Sequence, residues 1–293
     1  MALPVSAGAI RKLLKEIESS GRGAHVLAVD GSSKLAPVLR QQFLRGRADP
    51  GAVRIGGPEG SDVYVHVLAG EPSEEDAAVL RRARRARVPV IAVAPENAEI
   101  PYVLATDIVL VGAGESLPLE SIAQAIAARL GEDGAPLATR VPLLRDAVCG
   151  QLVASFARKN GVLAAAVWIP GADMPVLTLN ELRLVLRVAQ AYAVDDVRER
   201  LPELAATVGA GFGLRALARE LLDLVPPADA EGGRGLPAGR RRLGRRCFQR
   251  IAGWVVKGAI AYGGTLALGE AARQRFAPAA TPPPPAAAVP AAP

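Results

Sequence analysis

The residues that come nearest to chemistry sit in a short turn, Asp30-Gly-Ser-Ser-Lys34-Leu35, directly after an apolar run. A loop that holds a nucleotide triphosphate needs G-x-x-x-x-G-K-[ST] between a strand and a helix. Its glycines let backbone N–H groups wrap the phosphates, its lysine reaches the terminal phosphates, and its Ser/Thr holds magnesium. Only Lys34 fits: Ala28 and Ser33 stand where glycines are required, and Leu35 replaces the magnesium ligand. A lone lysine in a turn is ordinarily a solvated surface charge. The stretch Ile55-Gly-Gly-Pro-Glu-Gly60 is placed like the D-x-x-G turn that supplies a magnesium-side carboxylate, but Gly56 occupies the aspartate position. The segment Ala94-Pro-Glu-Asn-Ala98 follows a buried run where N-K-x-D would read a guanine edge, and it has no aspartate at that spacing. Phosphate, magnesium and base contacts are therefore all missing. No cofactor is expected, and the expected protein is not an enzyme.

Other chemistries are scarce. With only His25 and His66, a multi-histidine metal site is excluded and a histidine-based triad is improbable. Cys149 and Cys247 form no CxxC pair and read as reduced thiols. Asp173, in Pro170-Gly171-Ala-Asp173-Met-Pro175, suits either of two roles. It can cap the helix that follows, the favoured reading, or serve as an acid inside a membrane.

The elements around these residues read from periodicity. Residues 6–20 place Ile10, Leu13, Leu14 and Ile17 on one helical face, with Ser6 as N-cap. An alternation follows: strands at His25–Val29, Val63–Leu68, Val88–Ala94 and Asp107–Val111, and helices at Lys34–Leu44, Ser73–Arg87 and Pro118–Leu130. Continuous apolar strands between helices predict a doubly wound, mostly parallel sheet covered on both faces. Gly131–Thr139 reads as a boundary. Beyond it the pattern predicts helices at 142–169, 174–193, 196–225 and 247–276, with a Pro/Gly/Arg-rich loop at 226–246 and a disordered Ala/Pro tail from Ala277 to Pro293. The expected division is an N-terminal amphipathic helix (1–21), an α/β domain (22–135), an all-helical domain (140–276) and the tail (277–293).

Half of the 293 residues are hydrophobic and only 4% are aromatic, and the mean hydropathy of +0.22 is high. Residues 1–20 offer no apolar stretch long enough for an export signal. A membrane span needs ~20 predominantly apolar residues, and Ile251–Gly269, with Lys257 as its one charge, comes nearest. The glycines at 209, 211, 213, 258, 263 and 264 would let helix backbones approach closely, in a membrane or in an Ala/Gly-rich soluble bundle. The net charge of +6 favours anionic partners. Arg240, Arg241, Arg242, Arg245, Arg246 and Arg250 immediately precede Ile251–Gly269. This is the cytoplasmic-side signature of a membrane helix and suits anionic lipid. Arg81, Arg82, Arg84, Arg85 and Arg87 crowd the end of a helix, where they complement its dipole. The absence of aromatics interleaved with these arginines counts against nucleic acid.

Two resemblances rest on these segments. The strand and helix placement of the first half resembles an Era-like GTPase domain whose nucleotide contacts have eroded. Residues 161–192, 207–225 and 253–276 resemble the uncharacterised bacterial helical domain found C-terminal to some Era-like GTPase domains, in the YcjF-like family of inner-membrane proteins. The likeness covers about Pro142–Phe276 and departs from the family at the arginine-rich stretch Ala228–Arg250. It implies a bacterial inner-membrane location with the α/β domain facing the cytoplasm. The expected function is a non-catalytic membrane-associated scaffold or regulatory protein. The alternatives are a divergent nucleotide-binding enzyme and a soluble basic module that binds nucleic acid.

Overall fold

Continuous apolar runs make the strands, and the helices between them carry their apolar residues at helical spacing. The computed structural model describes residues 6–95, 99–112, 116–167, 174–194 and 238–277, with only the backbone described over 238–254. Five strands, β1 (Leu27–Asp30), β2 (Val53–Ile55), β3 (Val63–Val67), β4 (Val90–Pro95) and β5 (Ile108–Val111), form one sheet in the order β2-β1-β3-β4-β5. Every pairing is parallel, with Val29 opposite both Ile55 and Val65.

The helices are α1 (Ala7–Gly21), α2 (Leu35–Phe43), α3 (Glu74–Ala86), α4 (Leu119–Leu130), α5 (Gly134–Arg140), α6 (Arg145–Ala166), α7 (Met174–Ala191) and α8 (Ala238–Phe276). One sheet face presents Leu27, Val29, Val65, Ile91 and Val93 to α2 and α4, and the same buried cluster continues into α5, α6, α7 and α8. The opposite face presents Ala28, Tyr64, Ala92 and Ala94 and is covered by α3 through Leu80 and Ala83. The sheet is thus packed on both faces, as its apolar strands require.

Local signals explain several ends. Ser73 and Asp76 form a reciprocal capping box at the start of α3, and Ser6 caps α1 through the Ala9 N–H at 3.3 Å. The amphipathic α1 lies on α7: Arg183 pairs with Glu16 at 2.9 Å, and Arg187 donates to the Ser20 hydroxyl at 2.7 Å.

Three local expectations differ. β2 has three residues, two of them exposed, too few to show a period. Gly131–Thr139, read as a boundary, has regular structure of its own. Its small residues form a 3-10 turn and α5, with Gly134, Ala135, Leu137 and Ala138 buried, because a small side chain serves close packing as well as it serves a loop. α8 begins at Ala238, inside the stretch read as loop, since arginine is itself a good helix former. Pro170, Gly171 and Asp173, the helix expected at 196–225, and the tail from 278 on lie outside the described residues.

The membrane expectation is overturned. Among the described residues no helix is long and apolar enough to cross a membrane. The apolar side of α8 is used within the bundle instead. Ala261, Leu268 and Ala272 are buried, and Gly269 lies against Val153 of α6. Thr265, fully buried, accepts from Asn160 Nδ2 at 3.0 Å. Asn180 in turn donates to Asn160 at 2.8 Å, so three helices share one buried polar chain. The close approach of glycines is real, but it is a contact between two helices of one bundle. A Cβ on Gly258 would stand 3.0 Å from the Gly161 carbonyl oxygen, and one on Gly161 would stand 3.2 Å from that of Gly258. Gly258→Leu should therefore push α6 and α8 apart and cost about 2–3 kcal/mol, read as a lower urea midpoint. An unchanged midpoint would show that the seam is loose.

Candidate functional site

In a doubly wound sheet of this order, ligands bind at the carboxyl ends of the strands where the winding reverses. Here that point lies between β1 and β3. The turn there runs from Asp30 to Leu35, and β3 leads into Leu68-Ala69-Gly70.

The turn is closed on itself. The Gly31 N–H donates to Asp30 Oδ1 at 2.9 Å. The Ser33 N–H donates to the Val67 carbonyl at 3.1 Å, and the Ala36 N–H to the Ser33 carbonyl at 3.1 Å. The Leu35 N–H donates to Ser33 Oγ at 3.2 Å, and the Ala69 N–H, from across the crevice, donates to Ser32 Oγ at 3.4 Å. A phosphate cradle works by aiming free N–H groups at one point. In this crevice five of them already have partners, and one partner is a carboxylate. Gly31 makes the closure possible: its φ is +143°, and a Cβ there would overlap the Val67 carbonyl oxygen. Lys34 is exposed at the start of α2, and no ion pair forms to it among the described residues.

The turn after β2 is likewise self-contained. Arg54 donates through Nη2 to the carbonyls of Gly57, at 3.1 Å, and of Glu59, and Ser61 donates to the Pro58 carbonyl at 2.6 Å. Gly56, with φ +135°, offers no side chain where a magnesium-side carboxylate would stand. Of the segment after β4, residues 96–98 lie outside the described residues.

A histidine dyad does form under α3, where the sequence offered no spacing to find it. His66 Nε2 is 2.8 Å from Asp76 Oδ1, and His66 Nδ1 is 2.8 Å from the Tyr64 hydroxyl. Residues 64 and 66 share a sheet face because side chains alternate along a strand, and the capping box brings Asp76 over them. Burial pushes the Asp76 carboxyl up, but hydrogen bonds from the Ser73 hydroxyl and N–H and from His66 outweigh it, so it stays below the usual carboxylate range. An ionised Asp76 has no proton to give. Nε2 of His66 is then the donor, and Nδ1 accepts from Tyr64. Burial drives the His66 pKa down, against the opposing pull of Asp76 and Asp30. His66 is 2% exposed and Asp76 4%, so no substrate reaches the pair. The dyad joins β3 to α3.

A groove of about 870 Å³ opens between α4 and α6, floored by Ala123, Ala147 and Gly150 and edged by Gln124, Asp146 and Arg273. Beside it, burial pushes the Cys149 thiol up to about 12 and the Tyr192 hydroxyl to about 12. Neither is a nucleophile near neutral pH. The Tyr192 hydroxyl donates to Asp146 at 3.0 Å. Among the described residues no group of three or more His, Cys, Asp or Glu side chains is arranged to hold a metal ion.

Arg240, Arg241, Arg242, Arg245, Arg246 and Arg250 lie in the first turns of α8, over the part described by backbone alone. Arg81, Arg82, Arg84, Arg85 and Arg87 are all exposed along and just past the second half of α3. No family model matches the chain, and no curated protein is significantly similar to it.

Proposed function

We propose that the chain is a non-catalytic regulatory or scaffold protein whose α/β part is a GTPase-like scaffold now serving as an interaction module. The three eroded nucleotide segments support the likeness, because they follow β1, β2 and β4 and so leave the same carboxyl edge of the sheet. The observation that carries the non-catalytic reading is the closed turn Asp30–Leu35. Its backbone donors are bonded to Asp30, Ser33 and Val67 instead of facing the crevice. A triphosphate would have to open that turn, displace the Asp30 carboxylate and bind without a magnesium ligand at Leu35. Lys34 alone supplies little, since one exposed charge pair contributes only ~0–1 kcal/mol and micromolar affinity needs about 8 kcal/mol.

Calorimetric titration with GTP or ATP and magnesium should show no saturable heat. Magnesium-dependent micromolar binding that Lys34→Ala abolishes would overturn this reading and favour a divergent nucleotide-binding enzyme.

A further inference from the structure

We propose that the exposed face of α3, together with Tyr102, is a docking surface for single-stranded nucleic acid. α3 confines its acids to the first turn, Glu74, Glu75 and Asp76. Its second half, with the residue that ends it, exposes Arg81, Arg82, Arg84, Arg85 and Arg87. Among the described residues only Arg82 has an acidic partner, Glu59 at 3.8 Å across the surface. The helix dipole accounts for the cations in the last turn and at the residue that ends the helix, Arg84, Arg85 and Arg87. It does not account for the rest, or for what lies beside them.

The chain brings an aromatic ring to this face from a different segment. The guanidinium carbons of Arg81 and Arg84 lie 5.6 Å and 5.8 Å from the centroid of the Tyr102 ring. Tyr102 is 44% exposed and Leu104, two residues on, 59% exposed. Tyr102 also holds a left-handed backbone, φ +67°, which a bulky residue adopts only at a cost. An exposed ring held there by strained backbone, with flat guanidinium groups against it, is a stacking platform. Bases stack on tyrosine and on arginine planes alike, while neighbouring arginines neutralise the phosphates between them. A lipid surface needs the charge but not the ring. The interleaving absent from the linear sequence is therefore present in space, because the segment between β4 and β5 brings Tyr102 to Arg81 and Arg84 of α3. The proposal goes beyond the non-catalytic reading and stands apart from the nucleotide crevice.

The test uses the full chain, a fluorescein-labelled single-stranded RNA of about 15 nucleotides and fluorescence anisotropy across a salt series. Wild type should bind with a steep salt dependence. Tyr102→Ala should weaken binding about tenfold, while Tyr102→Phe, which keeps the stacking face, should bind like wild type. The triple variant R81Q/R84Q/R85Q should lower the magnitude of the salt slope by about 2, at ~0.7 per lost contact. All are surface changes, and circular dichroism checks that each variant is folded. Three results would overturn the proposal. One is no binding by wild type. Another is equal binding by Tyr102→Ala and the triple variant, with the affinity lost instead when the six arginines of Arg240–Arg250 become glutamine. The last is binding to anionic vesicles that depends on Tyr102 as strongly as RNA binding does, which would assign the face to a lipid surface. None of these outcomes bears on the GTP titration, so the two readings fail separately.

Discussion

Gly31→Ala should lower stability by about 4 kcal/mol, a drop in Tm of roughly 10 °C for a chain of this size. The reason lies in the crevice between β1 and β3. A Cβ at Gly31 would overlap the Val67 carbonyl oxygen and stand 2.6 Å from the Val67 nitrogen and 2.8 Å from its carbonyl carbon. Those atoms are main chain in the central strand region, so they cannot rotate away. The turn would have to lift, which breaks the Ser33 N–H to Val67 bond and the cover that Ser32 gives Ala69. Gly56→Ala is the control. Gly56 also has a left-handed φ, +135°, but open space surrounds its Cβ position. It should cost only the backbone strain, about 1–2 kcal/mol. Equal losses in the two variants would mean that conformation, not the approach to β3, sets the cost at Gly31.

Asp76→Ala should cost about 3 kcal/mol. Roughly 1 kcal/mol is the lost half of the capping box, in which Asp76 accepts from the Ser73 N–H, and about 2 kcal/mol is the buried His66 N–H left without an acceptor. The same contact gives a pH dependence with a definite sign. Burial holds the His66 pKa below its ordinary 6.5, so the unfolded chain binds that proton more readily than the folded one. Stability from His66 is then full above about pH 6.5 and falls as the pH drops toward the folded pKa. Asp76 adds a second loss at lower pH, as the medium falls below 3.8 toward its depressed value. Thermal melts should show wild-type Tm falling between pH 7 and pH 5, and His66→Gln, which does not titrate, should lose that fall. Parallel profiles for the two proteins would remove His66 as its source.

Neither prediction was available from spacing alone. Four of the five strands and α1 to α4 are legible in the sequence within a few residues, because the strands are continuous apolar runs and the helices repeat their apolar residues at helical spacing. β2 is not legible, because its three residues have no period. Gly131–Thr139 reads as a boundary, and that it holds α5 is not legible, because small residues look alike in a loop and in a tight helix packing. Of the candidate site, the failure of Leu35 and Gly56 to fit nucleotide-binding motifs beside Lys34 was legible, since a motif is defined by residue type at fixed spacing. The His66–Asp76 dyad was not, because ten residues and a strand-to-helix turn separate its members.

The sequence by itself determined an alternating α/β half, a helical half and the absence of a complete nucleotide-binding motif at Lys34, Gly56 and Ala94–Ala98. Those properties are local: hydrophobic period, turn chemistry and the presence or absence of a named side chain. Only the tertiary structure decided what the apolar stretch around Ala261–Gly269 packs against. Hydropathy measures the wish to leave water and does not distinguish lipid from a neighbouring helix, whereas Asn160, Gly161 and Val153 of α6 supply that neighbour. The closure of the Asp30–Leu35 turn also needed three dimensions, because its acceptor, the Val67 carbonyl, belongs to another strand. So did the meeting of Tyr102 with Arg81 and Arg84, where charge comes from one segment and the ring from another.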